Sequence, residues 1–216
     1  MTENVTNDRP YLLRDVGPEI VACMTSVAVA VGRAIKIPFG IQILAGANNA
    51  ALAVAAATGA AFIRAEGFVF AHVADEGIMT EASAATLLRY RKQIDAEHIA
   101  IVADIKKKHS SHAITADVDL TETAQAARFF GADGVIVTGS ATGSPASPRD
   151  VSQAREAGLP VLVGSGLTSD NLGEYWDHAD GFIIGSALKK SGIWSNRLDT
   201  QSICRFIEVA KTFRTQ

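Results

Sequence analysis

Short apolar runs alternate along this chain with longer stretches of amphipathic, helix-like spacing. The runs fall at Phe39–Leu44, Ala61–Glu66, Ile99–Asp104, Gly134–Thr138, Pro160–Gly164 and Gly181–Ile184. Near-continuous hydrophobicity over so few residues suits strands covered on both faces, as in a parallel sheet. Between them the periodicity predicts helices over about Asn48–Thr58, Glu81–Asp95, Leu120–Phe130, Pro148–Ala157 and Ser169–Trp176, with a last one over about Thr200–Phe213. An earlier helix begins around Asp15-Val16-Gly17-Pro18-Glu19, with Pro18 in the first turn, where a missing N–H costs nothing. It is expected to run to about Lys36 and to bury Val21, Met24, Val27, Ala28 and Val31. Gly59, Gly131 and Gly158 each close a helix immediately before a strand. Strands alternating with helices of this length place the chain in the α/β class with a parallel sheet.

Six visible strands would suit an open doubly wound sheet, or a (β/α)8 barrel short of two strands. The polar residues within the strands favour the barrel. Gln42 interrupts the first apolar run, Arg64 and Glu66 share parity at the end of the second, and Asp104 and Lys106 do so at the end of the third. Thr138 closes the fourth. Barrel enzymes draw their active-site groups from the C-terminal ends of several strands, which is where these residues fall. The expected fold is therefore a TIM (β/α)8-type barrel lacking about two N-terminal strands, one domain over residues 1–216. An internal pairing of Arg64 with Glu66, or of Asp104 with Lys106, is the purely structural alternative. Buried pairs stabilise little once desolvation is counted, so four ionisable groups at one barrel mouth favour chemistry.

Two glycine turns follow the last two strands, Val163-Gly164-Ser165-Gly166 and Ile184-Gly185-Ser186. Glycine lets backbone N–H groups come close to an anion, and a helix N-terminus behind the turn adds positive charge. Loops after the last two strands often form a phosphate site in such barrels. Gly164, Ser165, Gly166, Gly185 and Ser186 are thus the candidate phosphate ligands. Thr138-Gly139, opening a hydroxyl-rich turn through Pro145, offers further donors to ligand oxygens.

Two other loops carry candidate chemistry. Gly67–Gly77 is long and apolar for a surface segment, which suits a lid or a subunit contact, and His72 within it is a candidate proton carrier. Lys106-Lys107-Lys108-His109-Ser110-Ser111-His112 contains three consecutive lysines that cannot all point inward; Lys106 keeps the inward parity. His109 and His112 join it as groups that could hold an anion or move protons. Without a carboxylate at ligand spacing, no metal site is expected.

Composition narrows the partners. Of 216 residues, 48% are hydrophobic and 20% charged, with 20 basic against 23 acidic side chains, so nothing points to nucleic acid or an anionic membrane. No apolar run nears the ~20 residues of a membrane span, and no secretory signal is visible. The Asn4-Val5-Thr6 sequon then carries little weight, and Cys23 and Cys204 suit reduced thiols. The Walker sequence and the dinucleotide fingerprint are absent, so no cofactor is expected. A phosphorylated small molecule is the expected ligand and a homo-oligomer the expected assembly. The expected location is the cytoplasm, with a mitochondrion or other organelle as the alternative for a longer form.

On Gln42-Ile43-Leu44-Ala45-Gly46-Ala47-Asn48, Phe62-Ile63-Arg64-Ala65-Glu66-Gly67, Asp104-Ile105-Lys106-Lys107-Lys108-His109 and the glycine turns above, the chain resembles the BtpA family over nearly its whole length. The resemblance implies a ribulose-phosphate-binding-type barrel. Bacterial members are linked to photosystem I biogenesis, another branch is associated with sugar metabolism, and no defined reaction comes with the family. Members usually begin with two strands and an intervening helix that this chain lacks. Glu3-Asn4 looks like the end of the second of those strands and Arg9-Pro10-Tyr11-Leu12 like the loop after it, as in an N-terminally shortened form.

Two functions remain open at this point. In the first, the protein is a phosphosugar-type isomerase, epimerase or lyase. Glu66 or Asp104 exchanges protons, Lys106 and Arg64 stabilise negative charge, and Gln42, Asn48, His109, Thr138 and Gly139 contact substrate. A variant of it has Lys106 forming a Schiff base. In the second, the protein is a non-catalytic assembly factor that keeps the barrel.

Overall fold

The computed structural model describes residues 1–3, 11–14, 16–139 and 144–214. The Asn4–Thr6 sequon, Arg9, Pro10, Asp15 and residues 140–143 of the turn after Gly139 lie outside it. All six expected strands are present: β2 (Gly40–Gln42), β3 (Phe62–Ala65), β6 (Ala100–Ile105), β8 (Gly134–Val137), β9 (Val161–Val163) and β10 (Gly181–Phe182). A short β1 (Thr2–Glu3) adds a seventh, parallel to β2 with Thr2 opposite Ile41 and Glu3 opposite Gln42.

These seven strands form one parallel sheet in the order β1-β2-β3-β6-β8-β9-β10. A doubly wound sheet reverses its order at a switch point. This sheet never does, so every right-handed crossover carries the chain the same way round and the helices collect on one face. That is the winding of a (β/α) barrel. One face of the sheet is apolar, with Ile41, Ile63, Ala65, Ile101, Ala103, Val135 and Val163 fully buried, while the opposite face carries the buried polar groups Gln42, Arg64 and Asp104.

The helices are α1 (Pro18–Ala34), α2 (Asn48–Thr58), α3 (Ala84–Gln93), α4 (Leu120–Phe129), α5 (Pro148–Arg155) and α6 (Thr200–Arg214). The alanine-rich α2 is apolar on nearly all sides and lies between the sheet and α1, burying Ala51, Leu52, Val54 and Ala55. Packed chiefly against α2, α1 buries a narrow i, i+4 stripe of Met24 and Ala28. Val21 and Val31 are half-buried, and Val27, expected in the core, is 48% exposed.

The α4 N-terminus is held by a capping box. Asp119 Oδ1 accepts from Glu122 N at 2.7 Å while Glu122 Oε2 accepts from Asp119 N at 3.0 Å. Asp119→Ala is expected to cost about 1 kcal/mol. For a chain of this size that lowers the melting midpoint by about 2–4 °C, readable by calorimetry.

The helix expected at Ser169–Trp176 is instead a single 3₁₀ turn, Leu172–Glu174. Thr168 and Asn171 side chains take the backbone N–H groups that would start a helix, with Asn171 Oδ1 accepting from Thr168 N at 2.8 Å. Gly173 leaves room for the Phe213 ring, and Trp176 stacks between Phe182 and Phe213. Tertiary packing by α6 overrides the local pattern. Among the described residues, no helix is long and apolar enough to cross a membrane.

The apolar segment after β3 is neither a loose lid nor a bare patch. It forms β4 (His72–Ala74) and β5 (Gly77–Met79), joined by the two-residue loop Asp75-Glu76, and β4 also pairs with β7 (Ser110–Ser111) from the segment after β6. Its hydrophobicity goes inward through Phe68, Ala74 and Met79, while Ile78 remains 62% exposed.

Candidate functional site

The polar strand ends converge as barrel winding requires. Arg64 on β3 and Asp104 on β6 form a two-pronged ion pair, Nε to Oδ2 at 2.8 Å and Nη2 to Oδ1 at 2.9 Å, with both side chains buried. Sequence parity places these residues on the inner face but pairs them differently; the observed partners come from neighbouring strands.

Glu66 is the most elaborately held side chain. Its Oε1 accepts from Gln42 Nε2 at 3.3 Å, its Oε2 accepts from Gly46 N at 3.1 Å, and Lys107 Nζ lies 3.5 Å from Oε2. Asn48 fixes the backbone beneath it: Oδ1 accepts from Glu66 N at 3.1 Å, while Nδ2 donates to Glu66 O at 2.7 Å and to Ser83 Oγ at 2.9 Å. Asn48, expected to touch substrate, thus spends its amide on positioning Glu66. Burial is the main force on the Glu66 carboxyl and raises its pKa; Lys107 opposes that rise without cancelling it.

The lysines exchange the roles that parity gives them. Lys106 has φ 44°, a left-handed turn that ends the strand alternation. Its Nζ turns to Thr115 O at 3.4 Å, and it lines a separate small cavity of about 20 Å³. Lys107 is the buried lysine, between Glu66 and Glu76, whose Oε2 lies 3.7 Å from Nζ. Lys106 is therefore misplaced as the catalytic or Schiff-base lysine. Glu76 arrives from the β4–β5 loop and was not legible as a site residue, although Asp-Glu-Gly between short apolar runs is a hairpin signal.

Thr138 and Gly139 also serve the scaffold: Thr138 Oγ1 accepts from Lys108 N at 2.9 Å, anchoring the segment after β6, and a side chain at Gly139 would strike Ser144 O. His109 Nδ1 sits 3.6 Å from Asp75 Oδ2 at the rim. His72 and His112 face each other at 5.5 Å beside the small cavity.

One large cavity of about 720 Å³ opens at these strand ends. Gln42, Arg64, Glu66, Glu76 and Lys107 line one part of it. The two glycine turns, Gly164-Ser165-Gly166 and Gly185-Ser186, line another, with Lys189 nearby. Leu44, Leu167, Ile183 and Trp194 supply apolar wall, and neither Tyr11 nor Trp194 was legible as a site residue from the sequence. The segment after Gly185 is a single 3₁₀ turn, Ser186–Leu188, rather than the start of a long helix. Gly166 has φ 66°, and a Cβ on it would come within 2.3 Å of Pro145 N. Gly166→Ala is expected to cost about 1–3 kcal/mol and to abolish anion-induced stabilisation, as melts with and without inorganic phosphate would read.

Burial, reinforced by Lys107 and His112, holds the His72 imidazole well below its ordinary 6.5, at about 4. The fold keeps His72 neutral while the unfolded chain protonates it. Its contribution is therefore complete above about pH 6.5 and is lost as pH falls toward 4. His72→Gln is expected to flatten the decline of the melting midpoint between pH 7 and 5. Among the described residues, no cluster of three or more His, Cys, Asp or Glu is arranged to hold a metal ion.

The family model described as "BtpA family" matches residues 1–212. An uncharacterized mitochondrial protein of Caenorhabditis elegans is 48% identical over 99% of this chain and 78% of its own length. The photosystem I biogenesis protein BtpA of Synechocystis is 35% identical over 93% of this chain and 70% of its own length. Among solved structures, the N-(5'-phosphoribosyl)anthranilate isomerase of Pyrococcus furiosus matches with a TM-score of 0.56 and 18% identity, over 87% of this chain and 80% of that one. The thiamine phosphate pyrophosphorylase of Pyrococcus furiosus matches with a TM-score of 0.57 and 13% identity, over 93% and 81%. At such identities these structures carry the barrel fold and no more.

Proposed function

We propose, for a chain that belongs to the BtpA family, that it binds a phosphorylated small molecule and acts on it as a phosphosugar-type isomerase, epimerase or lyase. The observation that carries this reading is the joining, in one cavity at the strand ends, of two glycine turns and a buried Glu66–Lys107–Glu76 cluster. The backbone of Gly164, Gly166 and Gly185, with Ser186, holds the phosphate. Glu66, whose carboxyl burial raises above its ordinary range, gives and takes the substrate proton. Lys107 and Arg64 stabilise the negative charge that develops when a proton leaves carbon beside a carbonyl. Asp104 acts on the reaction through Arg64, which it holds in place.

A thermal melt against a set of sugar phosphates tests this. A ligand at about 100 times its dissociation constant adds ~2.7 kcal/mol, which raises the midpoint by roughly 5–10 °C at this chain length. A shift with sugar phosphates, followed by turnover of the compound that shifts it most, supports the enzyme. Shifts without turnover favour a second reading, a non-catalytic assembly factor. The Synechocystis relative's name and the exposed Val73 and Ile78 on the β4–β5 hairpin speak for it. Glu66→Gln abolishes the function of an enzyme and spares that of a scaffold. A homo-oligomer and, by the name of the C. elegans relative, a mitochondrial location belong to this proposal; sedimentation and fractionation decide them.

A further inference from the structure

The floor of the large cavity is short of hydrogen-bond donors. Gln42 is 1% exposed, and its Oε1 accepts no hydrogen bond among the described residues. Its amide orientation follows from its neighbour, because the NH2 must face the Glu66 carboxylate. Glu76 Oε2 is likewise sealed from solvent without a hydrogen bond; its ion pair with Lys107, at 3.7 Å, is too long to be one. A buried acceptor left unpaired costs about 1–3 kcal/mol. Two of them lie on residues that line the same cavity as the glycine turns.

Charge points the same way. Arg64 at the floor is paired with Asp104 behind it, so the remaining buried pairs there set two carboxylates, Glu66 and Glu76, against one cation, Lys107. An anion brought there would add to an existing surplus of negative charge. A donor group, neutral or cationic, would meet acceptors that receive no hydrogen bond among the described residues. The terminal torsions of Gln and Glu side chains are soft, so each oxygen turns toward an arriving group at little cost.

We propose that the Gln42–Glu76 floor receives the hydrogen-bond-donating end of the ligand, the hydroxyls of a neutral sugar or the ammonium of an amino sugar, and excludes a carboxylate or a second phosphate. This rests on the preceding reading, in which the glycine turns hold the ligand's single phosphate. It orients the ligand and narrows it to monophosphates with an uncharged or cationic far end. A phosphorylated sugar acid or a bisphosphate does not fit. The donor end lies beside Glu66, so the carbon next to it is the one whose proton Glu66 can reach.

The test is a melt series on the full chain with ribose 5-phosphate, glucosamine 6-phosphate, 6-phosphogluconate, ribulose 1,5-bisphosphate, glucosamine and inorganic phosphate, followed by calorimetric titration of the compounds that shift it. The expected result is stabilisation by ribose 5-phosphate and glucosamine 6-phosphate beyond inorganic phosphate, and none beyond it by 6-phosphogluconate or the bisphosphate. Stabilisation by 6-phosphogluconate or the bisphosphate equal to that by ribose 5-phosphate overturns the proposal and leaves the phosphate reading standing. Glucosamine acting as well as glucosamine 6-phosphate supports the donor floor and removes the phosphate. No shift with any compound at about 10 mM, about 100 times a dissociation constant of about 0.1 mM, overturns both. Glu76→Gln is expected to weaken glucosamine 6-phosphate about tenfold, the scale of one charged hydrogen bond, and to relax the exclusion of 6-phosphogluconate. Unchanged affinity for both overturns the assignment of Glu76.

Discussion

Asp104→Ala is expected to lower stability by about 3–5 kcal/mol, because it leaves the Arg64 guanidinium buried without its carboxylate. At this chain length the melting midpoint falls by roughly 6–20 °C. The pair itself is a different quantity. Desolvating two charges offsets most of their attraction, so a double replacement, Arg64→Met with Asp104→Leu, recovers most of what the single change loses. Denaturant unfolding of the two single variants and the double closes this cycle. A double variant as unstable as the sum of the singles would mean that Arg64 and Asp104 support the barrel through packing rather than charge. Binding separates the roles further: the double variant folds yet lacks the cation that faces the cavity.

Glu66→Gln is expected to lower turnover by about 10²–10⁴ on the sugar phosphate that stabilises the protein most, with little change in its binding. The amide keeps the shape of the carboxylate but can neither accept nor return a proton. Folding does not suffer in parallel. Burial raises the Glu66 carboxyl in the fold above its ordinary 4.5, so between that value and the raised one the unfolded chain binds fewer protons than the native chain. The native protein loses stability as pH rises through this window, and the Gln variant does not. At neutral pH the variant therefore melts at or above the parent, which a joint measurement of turnover and melting checks. Equal turnover in the two proteins would remove Glu66 from the chemistry.

How far these residues were legible in the sequence follows from how local the determining physics is. Strand positions were legible because burial on both faces writes a continuous apolar run, as at Ile99–Asp104, and the barrel winding because polar residues recur at strand ends. Arg64, Glu66 and Asp104 were placed at the strand ends that way. Beyond the strand, alternation ends. The positive φ of Lys106 turned the register by one residue, so the inward lysine is Lys107. Glu76 reaches the site through a hairpin whose register depends on β7, more than thirty positions later in the chain, and nothing local announces that pairing. Asn48 and Thr138 were legible as polar groups near the mouth, but not as groups already committed to backbone partners. The Ser169–Trp176 pattern was overridden by the ring of Phe213 lying against Gly173.

Barrels are commonly treated as fixed frames whose connecting segments vary one at a time. Here β4 hydrogen-bonds to β5 on one side and to β7 on the other, so the segments after β3 and β6 are inherited as a single piece. Transplanting either one into a related barrel strands the backbone groups of the other. Diversification or redesign of this site proceeds by exchanging the whole three-stranded unit, with Glu76, Lys107 and His109 travelling together.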